Sequence, residues 1–241
     1  MARHSEGRAL VTLALLVLLA GCGSPASGTP TPPASAMAGG SLPIPTAEPS
    51  GSAVPPGGLP VCAPPFETLP CAAPPASFVT VLEPALAFDP GDGWRVDMHT
   101  PFALAMAHDG APGTTLFIGT QIRNGMGGAP IEPGVRGLTN YLSGVPGLLV
   151  SGKQVATMDG LEGTQVTLTA ASDLVGLIEL GPADAPDALA GYDLEEGAVA
   201  RLWAVDVGDR TVVIILEPAA GTSLDPAAAL VAPIIASMAF G

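Results

Sequence analysis

The later part of this chain predicts an α+β fold, a mostly antiparallel sheet of about six to seven strands packed with two helices. Three observations lead there. Short β-branched or alternating segments dominate from about residue 90 onward, only two segments carry a helical spacing, and a long run of strands separates those two. Strand–helix–strand alternation is missing, which argues against a parallel sheet with crossover helices.

Gly91-Asp92-Gly93 is a turn leading into a strand over Trp94–His99. Phe102–His108 alternates, placing Phe102, Leu104, Met106 and His108 on one face of a half-buried strand. Thr114–Gln121 is the next strand, with Leu116 and Ile118 pointing the same way. Over Val135–Leu142 the pair Leu138 and Leu142 marks a short helix, ended by Gly144-Val145-Pro146-Gly147. Strands at Leu148–Thr157 and Thr164–Thr169 flank a turn at Asp159–Gly163, and Val175–Leu180 forms a further strand.

Ala200–Val207 and Thr211–Glu217 should pair as a hairpin through Gly208-Asp209. Asp225 is the expected N-cap of a closing helix, with Pro226 at its first position. That helix carries Ala227, Leu230, Val231, Ile234, Ile235 and Met238 as a buried stripe, and Pro233 should kink it by removing a backbone hydrogen bond. The stretch is shorter than the ~20 unbroken apolar residues that a membrane span needs.

The order of these elements, with Gly93-Trp94, the strand–turn segment Ser151–Gly163 and the closing Ile235-Ala236-Ser237-Met238-Ala239-Phe240, resembles the PsbP-like α/β sandwich over residues 90–241. That superfamily includes bacterial lipoproteins besides the photosynthetic subunit it is named for. The resemblance implies a fold and brings no functional-residue motif with it.

The globular domain is expected to span 78–241. Upstream, residues 23–77 hold 15 of the chain's 27 prolines, contain no Lys or Arg, and are otherwise mostly Gly, Ser, Ala and Thr. So little apolar side-chain area does not offset ordering entropy, so residues 22–77 are expected to form a disordered tether. At ~3.1 Å per residue in extended polyproline form, Gly23 to Val61 would reach about 120 Å.

The first residues have a different character. Arg3 and Arg8 precede the apolar run Ala9–Leu19, and Leu19-Ala20-Gly21-Cys22 follows. This pattern resembles a bacterial lipoprotein signal peptide over residues 1–21. The resemblance implies cleavage before Cys22 and a thioether-linked diacylglycerol on its sulfur, with palmitate-type chains. The protein would then sit on the extracytoplasmic face of the cell membrane, or in the outer membrane of a diderm. Two or more acyl chains hold stably where one does not, each buried methylene adding about 0.8 kcal/mol.

With 8 Lys+Arg against 22 Asp+Glu, the net charge is −14. Such a surface repels phosphate backbones, which argues against nucleic-acid partners, and it repels anionic headgroups, leaving the lipid on Cys22 as the membrane contact. Cys62 and Cys71 remain as an even pair in an exported, oxidising setting and are expected to form a disulfide. Two free thiols are the alternative; zinc is disfavoured because no histidine lies near.

No catalytic, cofactor or metal motif stands out, and none of those sites is assigned. No Gly-x-Ser-x-Gly nucleophile elbow occurs. Ser151 and Lys153 form one Ser/Lys neighbourhood, two apart on a strand and so on one face. His99 and His108 read as strand-edge or loop residues, and Met98 and Met106 as core or half-buried ones. Asp159, Glu162, Asp173, Glu179, Asp184, Asp187, Asp193, Glu195 and Glu196 lie between Lys153 and Arg201 without an intervening base; with Asp89 and Asp92 they offer oxygen ligands for calcium, but none of this matches the twelve-residue calcium loop and a solvated acidic face is the simpler reading. Gly125-Met126-Gly127-Gly128 lacks the Lys-Ser/Thr of a phosphate loop and reads as a flexible rim around a binding surface.

These readings lead to a non-enzymatic, lipid-anchored module that binds or assembles with an envelope protein or a small ligand. It would use the Asn124–Pro130 loop and the acidic segment 182–197. A carrier of a small apolar ligand between sheet and helices is the alternative, and a hydrolase is the third class.

Overall fold

The computed structural model describes residues 58–127, 129–182 and 190–241. Cys22, the leader, most of the expected tether, Gly128, Asp184 and Asp187 lie outside the described residues.

The first three strands are short: β1 (Cys71–Ala72), β2 (Phe78–Val79) and β3 (Leu86–Phe88). Then follow β4 (Trp94–His99), β5 (Ala103–His108), β6 (Thr115–Gly119) and β7 (Ile122–Arg123). Helix α1 (Gly134–Gly144) leads into β8 (Leu148–Met158), β9 (Leu161–Ala170), β10 (Leu174–Leu180) and β11 (Ala190–Leu194). The chain ends with the hairpin β12 (Val199–Val207) and β13 (Arg210–Glu217), helix α2 (Leu224–Ser237) and β14 (Ala239–Phe240).

The class is α+β, with two helices and antiparallel sheets. The strand count departs from the expected six to seven: 14 strands form three sheets among the described residues. An eight-stranded sheet runs β1-β4-β5-β6-β13-β12-β9-β8, and two three-stranded sheets run β11-β10-β7 and β14-β3-β2.

Each face of the large sheet has its own core, because side chains alternate across it. Leu104, Met106, Leu116, Ile118, Trp203, Val205, Ile214 and Leu216 face α2 and the β14-β3-β2 ribbon, meeting Val231, Ile234, Phe78 and Phe88. Phe117, Val166, Leu168, Leu202, Ala204, Val213 and Ile215 face the other way, against Leu138 and Leu142 of α1 and Leu177, Ile178 and Leu180 of β10. A strand covered on both faces has no polar side, which is why Val212-Val213-Ile214-Ile215-Leu216 is continuously apolar.

The domain starts earlier than the expected boundary at residue 78. Cys62, Phe66, Cys71 and Ala73 are buried, Cys71 and Ala72 pair with Val96 and Arg95 of β4, and Val61 bridges Ala72 in parallel. Cys62 and Cys71 are disulfide-bonded, Cα–Cα 5.1 Å apart. A covalent loop and one buried phenyl ring order a segment whose proline content alone reads as unfolded.

Two other details differ from expectation. Phe102 belongs to the α1-side core, apart from Leu104 and Met106, because the chain turns there: Thr100 Oγ1 accepts the Ala103 N–H at 3.0 Å and Ala103 is the first strand residue. Helix α2 begins two residues earlier than expected, with Ser223 as N-cap, so Asp225 lies in its first turn, where a carboxylate still complements the helix dipole.

Helix α1 has no capping side chain of its own, since Pro133 occupies its N-cap. Asp206 of β12 substitutes: its carboxylate accepts the Val135 N–H at 3.0 and 3.2 Å and the Thr211 hydroxyl at 2.7 Å. Asp206→Ala should therefore cost about 1 kcal/mol in chemical denaturation, as loss of an N-cap does. An unchanged midpoint would show that the helix start needs no carboxylate.

Candidate functional site

The strongest candidate is a cleft of about 570 Å³ between α1 and the loop that follows β7. Its walls are Met126, Ala129, Pro130, Ile131, Tyr141 and Val145, with Asn124, Glu132 and Asn140 as polar groups. That volume and that mostly apolar lining fall in the range of small-molecule sites.

Local chemistry explains why the loop stands away from the helix. β7 pairs with β10 through Ile122↔Leu180 and Arg123↔Glu179, and the chain leaves the sheet at Asn124. The Asn124 amide then organises the loop: Nδ2 donates to the carbonyls of Gly127 and Ala129 at 2.8 and 3.0 Å, and Oδ1 accepts the Met126 N–H at 3.1 Å. From α1, the Tyr141 hydroxyl lies 2.7 Å from the Leu177 carbonyl and 3.1 Å from Asn124 Oδ1, tying helix, sheet and loop together. Partial burial pushes the Tyr141 phenol above its usual value, so it remains a neutral donor.

Two glycines permit this packing. A Cβ on Gly125 would collide with the carbonyl oxygen of Gly176, and one on Gly137 with that of Glu132. The glycine-rich segment is thus a rim held by close backbone contacts.

A second, more acidic recess of about 920 Å³ lies between the turns at 195–198 and 218–223, lined by Asp193, Glu195, Glu196 and Glu217. Several local carboxylates have structural partners. Asp193 accepts the Gly176 N–H at 2.6 Å, Asp173 accepts the Glu196 N–H at 2.8 Å, and Glu217 accepts the Tyr192 hydroxyl at 3.1 Å. Burial raises the pKa of Glu217, against the opposing effect of the Tyr192 hydrogen bond, and Glu195 raises it further. Among the described residues no three His, Cys, Asp or Glu side chains are grouped to hold a metal ion.

The histidines are kept apart. The β4–β5 register sets His108 opposite Trp94 and His99 opposite Leu104, so they stand roughly 14 Å apart along the ladder at ~3.4 Å per residue of β5. His108 packs edge-on to Trp94 with ring centroids 5.1 Å apart. His99 accepts the Val81 N–H on Nε2 at 3.1 Å and lies against Phe66 and Phe78, ring centroids 4.1 and 5.6 Å away.

Burial lowers the His99 pKa from 6.5 to about 4. The unfolded chain therefore takes up this proton first. The stabilising contribution is complete above pH ~6.5 and is lost as pH falls toward 4. Between pH 6.5 and 5 the wild-type unfolding free energy should fall more steeply than that of His99→Gln, whose amide oxygen can still accept the Val81 N–H. Parallel pH profiles would remove His99 as the cause.

Ser151 and Lys153 do not share a face. The β8–β9 register shifts between Ser151 and Gln154, and this bulge reverses the alternation. Val150 packs on the α1-side core, so Ser151 points to the opposite face, whereas Lys153 lines a shallow recess on the α1 side with Val135, Arg136 and Thr139. Sequence reasoning named Asn124 and the glycine loop but missed Tyr141, Asn140 and Glu132. Their available signal was slight: one amide, Asn140, and three glycines, Gly134, Gly137 and Gly144, within 131–146.

No protein-family model matches the chain, and no curated protein matches it. Among solved structures, the chain is similar to a crystallised protein from Bacteroides thetaiotaomicron, with 10% identity and a TM-score of 0.35 over 65% of this chain and 45% of that one. The match thus spans less than half of that protein's length. It is also similar to the solution structure of cyanobacterial PsbP from Synechocystis sp., with 8% identity and a TM-score of 0.40 over 73% of this chain and 99% of that one. No described helix is long and apolar enough to cross a membrane.

Proposed function

We propose that this chain is a non-enzymatic binding module whose α1 cleft takes a small, largely apolar ligand. The observation that carries the proposal is the cleft itself: about 570 Å³, walled by Met126, Pro130, Ile131, Tyr141 and Val145 and braced by the Asn124 and Tyr141 hydrogen bonds. A site braced in this way loses little freedom when a ligand enters.

The module is a lipoprotein in this reading. Cys22 bears the lipid, and the proline-rich segment holds the domain away from an extracytoplasmic membrane surface. Support comes from the Leu19-Ala20-Gly21-Cys22 pattern and the composition of the residues after it. The order of strands and helices supports a PsbP-like sandwich as the arrangement.

Native mass spectrometry of protein purified from its source should show a retained small-molecule mass, and Gly144→Trp should abolish it. Space around a Cβ at Gly144 is open, so the indole enters the cleft mouth without disturbing the helix. Matching bare masses for wild type and variant would count against the binding site. Intact mass of the cell-made chain should begin at a diacylglyceryl-modified Cys22; an unmodified sulfur there would count against the anchor.

A further inference from the structure

We infer that the ligand of the α1 cleft is a small organic cation, an ammonium or amidinium head on an apolar body. This rests on the cleft being the binding site and adds the sign of the ligand's charge.

Three independent features of the cleft favour positive charge. The first is its lining: among the described residues Glu132 is the one carboxylate on the wall and has no ion pair, and none of the described Arg or Lys side chains lines the cleft. Arg136 and Lys153 belong to a separate recess. A carboxylate or phosphate ligand would find no counter-charge here, whereas a cation meets one.

The second feature is the end of α1. Gly144, Val145 and Pro146 line the cleft, so it opens on the helix C-terminus, where carbonyl oxygens collect partial negative charge. The last turn of α1 contains no basic residue to neutralise it.

The third is Tyr141. Tyr141 lines the cleft while its hydroxyl is held by the Leu177 carbonyl, so the position of its ring is fixed. An electron-rich face in a partly desolvated site attracts ammonium and amidinium groups. The Asn124 amide is spent on Gly127, Ala129 and Met126, and the Asn140 amide, also on the wall, has no hydrogen-bond partner among the described residues. The chain's net charge of −14 adds a long-range field of the same sign.

The test titrates the full chain with hexylammonium, 1-hexanol and hexanoate, which share an alkyl body and differ in head charge. Amide chemical shifts of Gly127, Asn140, Tyr141 and Val145 report the cleft, and those of Glu195 and Glu196 report general attraction to acidic surface. At pH 7 and low salt the cleft shifts should saturate, with hexylammonium binding about ten-fold tighter than hexanoate and hexanol between them. Glu132→Lys should erase that order. If hexanol or hexanoate binds as tightly as hexylammonium, the charge assignment is overturned and the cleft remains a binding site. Hexylammonium shifts confined to Glu195 and Glu196 likewise overturn it. If no probe moves the cleft amides, both readings fall together.

Discussion

Gly137→Ala should destabilise the domain by about 1–3 kcal/mol, the usual cost of overpacking, even though alanine is the better helix former by about 1 kcal/mol. Gly137 lies on the buried face of α1, and a methyl group there runs into the carbonyl of Glu132. Backbone stands on both sides of that contact, so no side chain can rotate out of the way. Either α1 moves off its core or the segment through Pro130 and Pro133 shifts outward, and both distort the cleft wall. Gly144→Ala in the same helix is the matched control. Its φ is not left-handed and nothing lies within 4 Å of the added carbon, so it should gain about 0.5 kcal/mol. Urea unfolding of the two variants should therefore show midpoints displaced in opposite directions. Equal gains would mean that the loop yields freely and that the cleft has no fixed wall.

Why the cleft was only half legible follows from the distances involved. Asn124-Gly125-Met126-Gly127 announces a loop locally, because its glycines and its Asx contacts act within a few residues. Tyr141 acts across 36 residues on Leu177, and Asp206 caps α1 across 71, and no period in the sequence encodes either contact. The cavity exists only once β7 pairs with β10, and β7 is two residues long.

Strand length decides most of the rest. β4, β12 and β13 are long enough to show alternation or a sustained β-branched run, and their bounds lie within a residue or so of those expected. β1, β2 and β14 have two residues each, too few for any periodicity, and exist through their partners in β3 and β4. The single eight-stranded sheet with its added ribbons therefore reads as fewer strands than it has. Gly152 held a usable clue. A lone glycine within a strand pattern signals a bulge, and the bulge separates Ser151 from Lys153. The same bulge and charge protect the long exposed edge of β8 against pairing with another strand.

Removing the disulfide by Cys62→Ala and Cys71→Ala should cost about 2–4 kcal/mol, since closing a loop of about ten residues restricts the unfolded chain by roughly that amount. The damage should be local first. Residues 60–73 are held by few groups besides the bridge: Cys62 N–H donates to the Ala72 carbonyl, Ala72 N–H to that of Pro60, and Ala73 N–H to that of Trp94, at 2.8 to 2.9 Å. Phe66, inside the loop, contributes its contacts with His99 and Phe78, and an aromatic pair adds only about 0.5–1.5 kcal/mol beyond its buried area. Hydrogen exchange should therefore quicken most at position 62, Ala72 and Ala73 in the double variant, while the central amides of β12 and β13 quicken only by the loss of global stability. Release of Phe66 would also expose His99 to water and bring its pKa back toward 6.5, flattening the pH dependence described above. A variant with wild-type exchange at Ala72 and Ala73 would mean that the segment is docked by its side chains, with the covalent bond adding nothing.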